Sequence, residues 1–177
     1  MRTPSAISIH PTHFSARWST SLKVTTAFVL ILVFAIVAFG VGTISGANPK
    51  QNQLVGGLLM IALPLLVVIL TSFFAIRGFE VTPNEILVHR LKWNTRIPLS
   101  GLTGAEADPN AAYGSIRLFG VGGLYCYCGL FRNSRLGNFR LYATNLANSV
   151  VLTFSTKTIV VTADDPACFI GAVKSKR

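Results

Sequence analysis

Residues 24–47 read VTTAFVLILVFAIVAFGVGTISGA and residues 54–76 read LVGGLLMIALPLLVVILTSFFAI, and neither run contains a charged side chain. Each supplies about the 20 residues that a helix needs to cross a hydrocarbon core of roughly 30 Å. Only Asn48-Pro49-Lys50-Gln51-Asn52-Gln53 separates them, so the expected structure is an antiparallel transmembrane hairpin spanning 23–76. Gly40-x-Gly42 and Gly56-Gly57 are candidate points of close helix approach, and Pro64 is a candidate kink. No ionisable residue lies in either run, so nothing marks an ion path or proton relay.

Outward from the hairpin, the chain divides into a polar tail, 1–22, and a single domain, 77–177. Ser45-Gly46-Ala47 offers small residues of the kind a signal peptidase accepts. The apolar run is longer than a signal peptide's core, however, and a second run follows at once, so an uncleaved span is expected. Residues 1–23 carry Arg2, Arg17 and Lys23, the turn only Lys50, and Arg77, Arg90, Lys92 and Arg96 follow the second run. The positive-inside bias then puts both termini in the cytoplasm and the turn outside, in a multi-pass protein of the cell membrane. The net charge of +10 is attributed to attraction by anionic headgroups held close to the domain rather than to nucleic acid, and no specific nucleic-acid partner is expected.

His10 and His13 form an H-x-x-H pair, but Pro11 interrupts it and no third ligand follows, so both are expected to be solvated in a flexible tail. No metal, cofactor or catalytic residue is expected.

Beyond Gly78 the period changes to two. Residues 79–82, 86–91, 95–99, 139–144, 150–154 and 158–162 alternate as half-buried strands do, with Pro83-Asn84, Trp93-Asn94, residues 145–148 and residues 155–157 as turns. Residues 100–112 read as a polar loop. Asp164 or Asp165 before Pro166 is a helix start, and Phe169, Ile170 and Val173 share one face of the short helix that follows. The implied architecture is mainly β, of the α+β class: about seven strands closed by one C-terminal helix.

Residues 117–132 read RLFGVGGLYCYCGLFR. The glycines lack G-x-G-x-x-G spacing and no helix opens behind them, so they are assigned to turns, bulges or close backbone passage rather than to phosphate binding. Cys126 and Cys128 point to one face if the segment is a strand. With Cys168 they are the three cysteines of the chain, too few for a disulfide framework or a four-thiolate metal site.

Several of these motifs together resemble the bacterial pleckstrin-homology (PH)-like domain proteins. They are the run Arg117-Leu118-Phe119-Gly120-x-Gly122-Gly123, then Gly129-Leu130-Phe131, Leu136-Gly137, Leu141-Tyr142-Ala143-Thr144-Asn145 and Asp165-Pro166-x-x-Phe169. The opening pattern Val81-Thr82-Pro83, Ile86 and Ile97-Pro98-Leu99 belongs with them. The resemblance covers the last 100 or so residues and implies a PH-like β-sandwich or barrel with a C-terminal helix. It implies no catalytic residues, and Cys126-Tyr127-Cys128 has no counterpart in the pattern.

The expected function is a membrane-anchored, non-enzymatic interaction module that binds anionic lipid headgroups, an unidentified protein partner, or a second copy of itself. Arg132, Arg135 and Arg140 are the candidate binding residues, because they cluster about the Gly137 turn with no acid between Asp108 and Asp164. The alternatives are a thiol redox accessory using Cys126 and Cys128, or a subunit of a larger envelope complex.

Overall fold

The computed structural model describes residues 12–46 and 49–176. In chain order these form β1 (Thr12–Ser15), α1 (Thr20–Ile44), α2 (Gln51–Ser72), β2 (Ile76–Val81), β3 (Glu85–Arg90), β4 (Asn94–Pro98) and β5 (Leu102–Ala107). There follow β6 (Ile116–Leu124), β7 (Cys126–Asn133), β8 (Gly137–Ala143), β9 (Ser149–Phe154), β10 (Thr158–Thr162) and α3 (Pro166–Ser175).

The two apolar runs are the two long helices, each starting slightly before its first apolar residue because polar side chains cap it. The Ser19 hydroxyl accepts from the Leu22 N–H at 3.1 Å, and the Gln53 side chain accepts from the Lys50 N–H at 2.9 Å. The second run ends as a helix at Ser72; its last residue, Ile76, opens β2 instead. The helices cross where both are bare. A Cβ on Gly40 would stand 3.0 Å from the Gly57 carbonyl oxygen, and one on Gly57 would stand 2.9 Å from that of Gly40. Gly42 and Gly56 face open space. Both helices are long and apolar enough to cross a membrane, and only 6% of each apolar window is buried within the molecule.

The domain is a PH-like β-sandwich. One sheet runs β1-β2-β3-β4 and is antiparallel throughout. The other runs β5-β9-β10-β8-β7-β6, with β10 and β8 parallel. Between the sheets, Phe79, Val81, Ile86 and Val88 pack towards Val150, Leu152, Ile159 and Val161. The Asp165 carboxylate caps α3 by accepting from the Cys168 N–H at 2.9 Å, and α3 seals the sandwich with Phe169 and Val173. A smaller core of Phe131, Phe139, Leu141, Val151 and Val160 lies on the outer face of the larger sheet, closed by Ala111.

Three expectations are corrected. Among the described residues the domain has nine strands of its own, β2–β10, rather than about seven, and β1 adds a tenth. The supposed polar loop at 100–112 contains β5, whose Thr103-Gly104-Ala105-Glu106 has weak strand propensity and is held by pairing with β9. The tail is not free over residues 12–22. β1 pairs with β2 in the register Phe14↔Phe79, and the Arg17 N–H donates to Asp164 Oδ1 at 2.8 Å. The Ser19 N–H donates to the Thr144 carbonyl at 3.1 Å. His13 is therefore a strand residue beside Glu80, while His10 lies outside the described residues.

Candidate functional site

The junction between α2 and the first sheet gathers the unusual side chains. Phe74 follows the end of α2, and its carbonyl oxygen accepts from Arg90 Nη1 at 3.0 Å and from the Cys126 thiol at 3.3 Å. Arg90 continues the inward face of β3 after Ile86 and Val88, so the strand's alternation drives a guanidinium into the sandwich, where the residue is only 8% exposed. Its Nε donates to Thr95 Oγ1 at 2.9 Å, and its planar head lies 5.5 Å from the ring centroids of both Phe74 and Tyr142. Among the described residues it forms no ion pair with a carboxylate. Its Nη1 also lies 3.8 Å from the Cys128 Sγ, but a buried cation without a carboxylate partner is costly, and an incoming anion would relieve that cost.

A cavity of about 430 Å³ opens beside it. Its walls include Phe119, Leu130, Cys128, Arg140 and Tyr142, and among the described residues no histidine or carboxylate lines it. Two guanidinium groups with apolar and aromatic walls suit an anion that carries a hydrocarbon portion, rather than acid–base chemistry.

Cys126 and Cys128 both face inward and are buried. The hydrogen bond to Cys128 pushes the Cys126 thiol up, with burial acting the same way. Cys128 is held below the ordinary thiol value by that same bond, aided by Arg90 against the effect of burial. An exposed, activated pair is what thiol exchange requires, and this pair is buried, with Cys128 in the wall of the cavity. The segment instead docks the domain on the helices. Thr26 Oγ1 donates to the Gly123 carbonyl at 3.4 Å and accepts from the Tyr125 N–H at 3.3 Å, and the Trp18 and Tyr125 rings lie 6.0 Å apart.

The three candidate arginines do not form one cluster. In the β7–β8 ladder Arg140 opposes Leu130 and Arg132 opposes Asn138, which sets Arg132 and Arg140 diagonally on one face. Arg135 is engaged with Asp108, an acid outside the 132–140 segment that the fold brings to it. Arg90 was missed, although its signal was present: an arginine at the third position of an inward-facing alternation.

A family model described as a bacterial PH domain matches residues 77–177. No curated protein and no solved structure matches the chain.

Proposed function

Because the chain belongs to the bacterial PH domain family, we propose that it is a non-enzymatic interaction module, anchored by its helical hairpin at the cytoplasmic face of the membrane, whose junction cavity takes an anionic lipid headgroup. The observation that carries this reading is Arg90, a buried cation with no carboxylate partner among the described residues, facing a cavity at the end of an apolar helix. The surroundings agree with an interfacial location. Trp93 packs edge-on against Phe74 at 5.5 Å, and Lys92 lies 5.3 Å from the centroid of Phe73, so aromatic and basic groups gather where α2 ends. Arg132 and Arg140 extend the basic face outward, whereas Arg135 is neutralised by Asp108.

The test is titration of the full chain, in neutral detergent, with short-chain anionic or zwitterionic phospholipid, read by tryptophan fluorescence. Anionic lipid is expected to bind more tightly. Arg132→Gln with Arg140→Gln should lose about 2 kcal/mol, at about 1 kcal/mol for each basic group near an anionic surface, which is about 30-fold in affinity. Equal binding of the two lipid classes overturns the headgroup assignment.

The anchoring is tested through Cys168, the exposed one of the three cysteines. A membrane-impermeant thiol reagent should leave it unmodified in intact cells and react once the membrane is opened. Labelling in intact cells would place the domain outside.

A protein partner has a second surface available, at the Ile116 end of β6. β6 is an edge strand of the larger sheet, and Ile116 is 71% exposed. Exposed strand edges with apolar side chains are sites for pairing with another chain.

A further inference from the structure

We propose that His13, Glu80 and His89 form a zinc-class metal site that fastens the N-terminal strand to the domain. The three side chains come from three adjacent strands of the smaller sheet. His13 on β1 is directly opposite Glu80 on β2, and His89 on β3 opposes Gly78, one diagonal step from Glu80. One ligand atom from each lies within 4.8 Å of the others. Glu80 Oε2 stands 2.9 Å from His89 Nε2, Glu80 Oε1 stands 3.7 Å from His13 Nε2, and the two imidazole rings stack at 5.8 Å.

Two imidazoles and one carboxylate are the donor set that borderline divalent ions prefer, and three protein ligands leave a further position open to solvent. The second sphere agrees. His89 Nδ1 lies 3.1 Å from Asn94 Oδ1, and a proton on Nδ1 donated to that oxygen leaves the Nε2 lone pair aimed at Glu80. In that tautomer the Nε2 lone pair and the Glu80 carboxylate converge at 2.9 Å, the arrangement that a shared metal ion would use, whereas in the other tautomer the Nε2 N–H donates directly to Glu80. Glu80 is half-buried whereas His13 is largely exposed, so the outer imidazole can close on an ion by side-chain rotation alone. A groove of about 440 Å³ lined by His13, Arg77 and His89 provides the entry path.

The consequence is mechanical. β1 leads through residues 16–19 directly into α1, so an ion shared by His13, Glu80 and His89 would tie the entry of the first long helix to the sandwich. Among the described residues the edge strand β1 has only β2 as a strand neighbour, and it stands to gain most from such a clasp.

The experiment uses the full chain in detergent, free of any polyhistidine tag and stripped with chelator. Zinc is titrated calorimetrically, and cobalt serves as the optical probe. One equivalent should bind, raise the melting temperature, and give cobalt the ligand-field absorption of a low-coordinate nitrogen–oxygen site. His13→Asn and Glu80→Gln should abolish both the binding and the thermal shift. Asn94→Ala, which removes only the orienting acceptor, should weaken zinc by about 10-fold or more. Because the His13 ring is exposed, His13→Asn should leave the metal-free melting temperature nearly unchanged, so lost binding is not lost folding. Binding undiminished in these variants overturns the site. Absence of zinc binding to the unsubstituted chain also overturns it.

Discussion

Phe169→Asp is expected to unfold the sandwich from its C-terminal helix, at a cost of at least 3 to 5 kcal/mol, roughly the packing lost when a buried phenylalanine is truncated. Phe169 is fully buried. Its ring meets Phe14 edge-on at 5.1 Å and Phe79 at 6.2 Å, so it is the point where α3, β1 and β2 close on one another. A carboxylate there either stays charged in an apolar site or takes up a proton, and each course adds to the packing loss. Domains of this size have only about 5–15 kcal/mol in all. Because Phe14 belongs to β1, the damage should also free the strand that leads into α1. Denaturant unfolding of the full chain in micelles checks this: a midpoint equal to that of the unsubstituted protein would remove α3 from the core. The full chain is the appropriate material, since a 77–177 fragment lacks β1 and leaves the β2 edge and the Phe169 ring partly uncovered.

The second large effect is expected from one methyl group at Gly129. Gly120 and Gly129 are direct partners in the β6–β7 ladder, with φ of +115° and +144°. A Cβ on Gly129 would run into the Phe119 carbonyl oxygen, and one on Gly120 into that of Cys128. Neither neighbour is a side-chain tip that can swing aside; both are backbone. A strained backbone conformation alone costs about 1–3 kcal/mol, and the collision brings Gly129→Ala to the upper end of that range. The two strands must separate locally. The wall of the junction cavity formed by Phe119, Gly120 and Leu130 then moves, so anionic lipid should be lost together with stability. Gly42→Ala, at a glycine with open space around it, is the control and should leave both unchanged. A Gly129→Ala protein that melts and binds normally would show that the two backbones have room to part.

The hairpin, most of the strands and the capped C-terminal helix were legible in the sequence because each is written in short-range pattern. Apolar runs of helical length, alternation of period two, and Asp165-Pro166 ahead of Phe169 and Val173 need no distant partner to be recognised. The ordered motifs running from Arg117 to Phe169 were likewise sufficient to reach the PH-like fold. The close passage of glycine backbones in the 117–132 segment was also anticipated, and Gly120 with Gly129 carries it out.

What tertiary structure alone decided are the pairings across long separations. The four residues Thr12–Ser15 have too little pattern to read as a strand; they become one because β2 offers an unpaired edge and Phe79 and Phe169 offer a place for Phe14. β5 is a strand for the same reason, held by β9 despite weak local preference. Arg135 looked free until the fold brought Asp108 to it. His13, Glu80 and His89 are distant in the chain and adjacent only in the sheet. Local sequence selects the element, whereas the partner of a charge depends on strand register and loop closure, which no short window contains.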